Sequence, residues 1–73
     1  MLTIKDRDRL DNDFTYHSPK ADQPEKYTFI RQTAKSFAIM LMDKCPESRE
    51  RSLAITKLEE AVFWANASIA RNE

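Results

Sequence analysis

A chain of 73 residues has room for one domain, and twelve basic against twelve acidic side chains give no net charge, which argues against bulk DNA or RNA as partner. One cysteine cannot form an internal disulfide, and one histidine with one cysteine cannot make a closed four-ligand metal site. Self-association is the remaining way to strengthen a small core.

The absence of glycine excludes phosphate-cradling glycine loops and leaves any positive-φ turn to Asn or Asp, a constraint met best by long helices with a short connection. No apolar run approaches the ~20 residues that span a bilayer, and Met1 to Arg7 lack the apolar stretch of a secretory signal. A lone thiol fits a reducing compartment, so the expected location is the cytoplasm, away from membranes.

The N-terminal segment, residues 1–22, is polar. Ile4 to Leu10 suits a short helix, Phe14 to Tyr16 reads as extended with both rings on one side, and Ser18-Pro19-Lys20-Ala21-Asp22 is turn-like. A first long helix is expected over about 23–45. Asp22 with Glu25 resembles a capping box, Pro24 fits the first turn, and Pro46 disfavours a helical Cys45. Its apolar stripe is Tyr27, Ile30, Ala34, Phe37, Leu41 and Cys45, widened by Phe29, Ala38, Met40 and Met42.

The second helix is expected over about 47–72, starting within Pro46-Glu47-Ser48. Its stripe is Ala54, Leu58, Ala61, Ala65 and Ile69, flanked by Leu53, Ile55, Val62 and Trp64. Large residues on the first helix should therefore face small ones on the second. The short connection folds the two back as an antiparallel hairpin, so the fold class is all-α. Phe29, Met40, Met42 and Trp64 lie partly off the seam, which points to an interface; the competing arrangement has the N-terminal segment folded over them.

Catalytic constellations are missing. His17 is the only histidine, Cys45 reads as a small hydrophobe near a helix end, and the adjacent Glu59 and Glu60 point about 100° apart. We therefore expect no enzyme, no catalytic residue, no metal and no cofactor. Binding has more support. Tyr16 offers a ring that can stack on a base, and Thr28, Arg31 and Lys35 put a hydroxyl and two cations on one helix face.

Each feature also has a plainer account. Tyr16 can dock the N-terminal segment, Arg31 can sit on a solvated face, and Thr33 can bond a carbonyl one turn back. Arg71 can complement the helix dipole, Trp64 can be a packing anchor, and Asn66 can satisfy a helix terminus or a partner across the seam.

Three phrases carry a resemblance: Phe14-Thr15-Tyr16-His17-Ser18-Pro19, Ser52 to Ala61, and Trp64-Ala65-Asn66-Ala67-Ser68-Ile69-Ala70-Arg71-Asn72. Over about residues 13–72 the chain resembles the phage anti-CBASS sponge family, whose helical-hairpin domain is shared with the Thoeris anti-defence sponges. The resemblance implies a hexamer of hairpins that sequesters cyclic oligonucleotides in the infected bacterial host without cleaving them. Periodicity alone suits a dimer or tetramer equally.

Carried over by position, Tyr16 resembles the base-stacking tyrosine of a cyclic dinucleotide pocket between protomers, with His17, Ser18 and Pro19 shaping it. Arg31 falls where the family places a basic residue, commonly lysine, against the phosphates. Thr33 and Arg71 resemble the polar pair of a separate cyclic trinucleotide pocket. The competing class is a helical protein-interaction module or small phage regulator with no nucleotide ligand.

Overall fold

The computed structural model describes all 73 residues as three helices and no strands: α1 (Ile4–Asp13), α2 (Gln23–Lys44) and α3 (Arg49–Asn72). Helix α1 starts at a complete capping box. The Thr3 hydroxyl accepts from the Asp6 amide at 3.0 Å, and the Asp6 carboxylate accepts from the Thr3 amide at 3.2 Å. It runs through Asp13 and closes at Phe14, whose φ of −108° and ψ of 14° correct the expected extended conformation there. The Thr15 hydroxyl donates to the Asp11 carbonyl one turn back, which holds the chain near the helix end.

At the start of α2 the expected Asp22–Glu25 capping box is not formed. Asp22 is already in the helical region and makes no side-chain cap bond; its carboxylate lies 3.3 Å from the Lys26 ammonium. The reason is local. A turn runs into the helix, with the Gln23 amide bonded to the Lys20 carbonyl at 3.0 Å, so Asp22 has lost the extended geometry that a capping side chain needs. Pro24 sits in the first turn, where its missing N–H costs nothing. Pro46 drives Cys45 to an extended φ of −102° and ψ of 137°, ending α2. Ser48 then caps α3, accepting from the Arg51 amide at 3.1 Å. No residue in the chain has a positive φ, as a glycine-free connection requires.

Helices α2 and α3 form the antiparallel hairpin, fastened at both ends. At the connection, the Arg51 guanidinium donates to the Met42 and Cys45 carbonyls at 3.0 and 3.3 Å, satisfying acceptors that the end of α2 leaves open. At the free end, the Gln23 amide donates to the Ile69 carbonyl at 3.3 Å. There the Lys26 ammonium also contacts both Glu73 carboxylate oxygens, at 2.8 and 2.9 Å.

The seam keeps most of the expected stripes but takes Ala38, Ile55 and Val62 in place of Phe37, Ala54 and Ala61. Half-buried positions are Tyr27, Ile30, Ala34, Ala38 and Leu41 on α2, and Ile55, Leu58, Val62, Ala65 and Ile69 on α3. Phe37, Ala54 and Ala61 are exposed instead, so Ala34 and Ala38 supply small residues on α2 and the expected large-against-small division does not hold. Two helices can cover one stripe each, and the flanking positions Ile55 and Val62 bury larger side chains than the alanines would.

The hairpin is one layer thick. The whole chain, α1 included, measures 49 × 35 × 13 Å, and no apolar side chain is fully buried; the single buried residue is Gln23, at 2% exposure. Domains ordinarily close a core between two layers. Here Phe29, Phe37, Phe63, Trp64, Met40 and Met42 all remain exposed on the plate.

Candidate functional site

The linker between α1 and α2 is held by two contacts, one back to α1 and one at the free end of the hairpin. His17 Nε2 donates to the Asn12 carbonyl at 2.7 Å, so that nitrogen carries the ring proton. Gln23 Oε1 accepts from the Lys20 amide at 3.0 Å, while its amide nitrogen reaches Ile69 on α3. Tyr16 lies between these anchors with its ring 82% exposed. His17 thus folds the linker back on the end of α1, Gln23 ties it to α3, and Tyr16 stays open to solvent.

Tyr16, His17 and Ser18 line a hollow of about 650 Å³ together with Lys20, Gln23 and Arg71. Pro19, exposed, follows directly in the linker but does not line it. The wall of the hollow is predominantly polar, with cations from Lys20 and Arg71 and a carboxylate from Glu73. Arg71 stands in the last turn of α3, where a cation complements the helix dipole, and its Nη1 lies 3.7 Å from Asp13 Oδ1 of α1.

Arg31 is elsewhere. It is exposed on α2, with its guanidinium donating to the Thr28 hydroxyl at 3.5 Å, and it flanks a separate hollow of about 250 Å³ beside Lys35, Glu59 and Phe63. Thr33 lies in a third hollow of about 330 Å³, among Phe29, Phe37 and Ala61. Two residues apart on a helix means about 200° of rotation, so Arg31 and Thr33 look out from opposite faces of the plate. Ala34, Leu58 and Val62 floor both hollows. Within one chain, therefore, Tyr16, His17, Ser18 and Arg71 come together, while Arg31 and Thr33 are separated from them and from each other.

Several residues at this end carry no pattern by which sequence reasoning could have selected them. Gln23 reads as a routine first helical residue, and only the return of α3 makes it the buried junction. Asn66 corrects an expectation: its Oδ1 is buried and has no hydrogen-bond partner, where a terminus or cross-seam contact was expected. The Lys26 ammonium has its pKa raised above the ordinary lysine value, chiefly by its hydrogen bond to Glu73, with Asp22 adding to the effect and desolvation opposing it.

The chain is thus a one-layer helical hairpin with aromatic and cationic side chains left on open faces. The family model described as Acb2/Tad1, hairpin domain, matches residues 6–70, and the chain belongs to this anti-CBASS/anti-Thoeris sponge family. Tyr16, Arg31 and Thr33 fall inside the matched span and Arg71 one residue beyond it. Comparisons with curated proteins and with solved structures gave no match. No helix is long and apolar enough to cross a membrane.

Proposed function

We propose that the protein sequesters cyclic di- and trinucleotide immune signals as a homo-oligomer, without cleaving them, serving a phage in the cytoplasm of its bacterial host. The observation that carries this reading is membership of the sponge family across residues 6–70.

The surface supports assembly. A compact chain of 8.6 kDa exposes about 4,700 Å², whereas this one exposes 6287 Å², an excess of roughly 1,600 Å². A standard protein–protein contact covers about 800 Å² of each partner, so the excess equals about two such patches per chain. One patch suits a dimer. Two suit a ring or a higher closed assembly, among them the hexamer that the family resemblance implies.

Assembly also answers the separation of the candidate residues. A dinucleotide pocket would join Tyr16, His17, Ser18 and Pro19 of one copy to Arg31 of another. The trinucleotide pocket would likewise gather Thr33 and Arg71 from different copies. In the first, the open Tyr16 ring stacks on a base for ~1–3 kcal/mol and the planar Arg31 fork pairs with phosphate. Symmetry brings several cations into one pocket, so a chain with zero net charge can still hold a polyanion.

Isothermal titration with a cyclic dinucleotide and a cyclic trinucleotide, with light scattering for mass, tests the reading. Saturable heat is expected with both ligands at fewer than one ligand per chain. Tyr16→Ala should remove only the dinucleotide response and Arg71→Ala only the trinucleotide response, and the ligand should be recovered intact after denaturation. No heat with either ligand would leave a helical protein-interaction module.

A further inference from the structure

Beside Arg71, on the side away from Tyr16, lies a second feature of α3 and α1. The Asp13 carboxylate stands between two guanidiniums: its Oδ1 is 3.7 Å from Arg71 Nη1 and its Oδ2 is 3.7 Å from Arg9 Nε. Both separations exceed hydrogen-bond length, so the N–H donors of the two forks are not consumed by Asp13. One carboxylate against two cations leaves a net positive charge of one. Asp13 and Arg71 are largely shielded, with side chains 26% and 34% exposed, whereas Arg9 is 82% exposed at the rim.

These three line a hollow of about 280 Å³ with Ser68 and Trp64. Trp64, Ser68 and Arg71 follow at i, i+4 and i+7, so they share one face of α3, with the indole about 10 Å along the axis from the arginine. Trp64 is 68% exposed.

We propose that this hollow is a nucleotide subsite of the Arg71 pocket, in which Arg9 and Arg71 together hold a phosphate and Trp64 stacks on a base. The proposal rests on the sequestration reading and adds two ligand contacts to it, Arg9 and Trp64. Asp13 is the positioning residue: it faces both guanidiniums to one side while neutralising only half of their charge. A volume near the lower end of small-molecule pockets suits one nucleotide unit of a larger ring, the remainder extending past this chain. The surplus charge beside the ring is what favours a nucleotide over an apolar protein surface here, since the one positive charge that Asp13 leaves unbalanced would be costly to cover without an anion.

Trp64 is the only tryptophan, so its fluorescence reports on this hollow alone. The full chain would be titrated with a cyclic trinucleotide of adenylates, following fluorescence and heat in parallel. Quenching of Trp64 is expected to saturate with the heat, and Arg9→Ala is expected to weaken binding about tenfold or more. Because Arg9 is exposed at the rim, that variant should keep the wild-type circular dichroism spectrum and mass. Trp64→Phe, which keeps a stacking face, should bind better than Trp64→Ala. With binding heat intact, either a silent Trp64 or an Arg9→Ala variant of unchanged affinity overturns the subsite and leaves sequestration standing. No heat and no quenching would overturn both.

Discussion

Gln23 is the one fully buried side chain, and its replacement by alanine is the sharpest test of how this fold is held. The substitution removes two side-chain hydrogen bonds, to the Lys20 amide at 3.0 Å and to the Ile69 carbonyl at 3.3 Å. Neither partner is stranded. Lys20 is exposed and can turn to water, and the Ile69 carbonyl still accepts from the Glu73 amide at 3.2 Å. The loss is therefore that of two ordinary neutral bonds, about 1–2 kcal/mol in all, without the further penalty of an unsatisfied buried group. For a domain of this size that lowers the midpoint of thermal unfolding by roughly 5–15 °C. Thermal unfolding followed by circular dichroism, at one protein concentration for both variants, measures it, since assembly makes the midpoint concentration-dependent. Gln23→Glu should lose at least as much, because it keeps the acceptor for Lys20 but loses the donor to Ile69 and buries a charge. A Gln23→Ala midpoint within 2 °C of wild type would refute the view that this junction fastens the linker and the hairpin end.

The Lys26–Glu73 tether predicts a pH dependence. A lysine whose pKa is raised on folding contributes stability below the ordinary lysine range and loses it as pH rises through the folded value. Lys26→Met should thus be less stable than wild type at neutral pH, with the difference vanishing in strongly alkaline solution; a difference that persists there would assign the effect to packing. Asn66→Ala should raise stability by roughly 1 kcal/mol, because it removes a buried oxygen with no donor and improves helix propensity. Denaturant unfolding measures this, and a loss of stability would mean that Oδ1 finds a donor in the assembly.

Local chemistry determined the helices. Pro46 stopped α2 through the steric restriction on Cys45, Ser48 supplied the cap of α3, and the missing glycine was matched by a connection with no positive φ. The three- and four-residue spacing of apolar side chains, with so short a link, was enough for an antiparallel hairpin. Tyr16 and Arg31 stood out from the residues themselves, as a stacking ring and a cation on a helix face, but only the motif resemblance gave them and Thr33 and Arg71 separate pockets.

What the sequence left open was decided by geometry between elements. Periodicity locates an apolar stripe only to within a residue or so when apolar positions are plentiful, so contact between the helices chose Ile55 and Val62 over Ala54 and Ala61 for the seam. The Asp22 cap failed because the preceding turn delivered Asp22 in a helical conformation. Arg9 and Asp13 pair locally within α1, but Gln23 and Asp13 met Ile69 and Arg71 only when α3 returned alongside them, across 46 residues in the case of Gln23 and Ile69. The tertiary structure also placed Arg31 and Thr33 on opposite faces of a single-layer plate, a consequence of 100° per residue that becomes meaningful only once the hairpin defines the two faces.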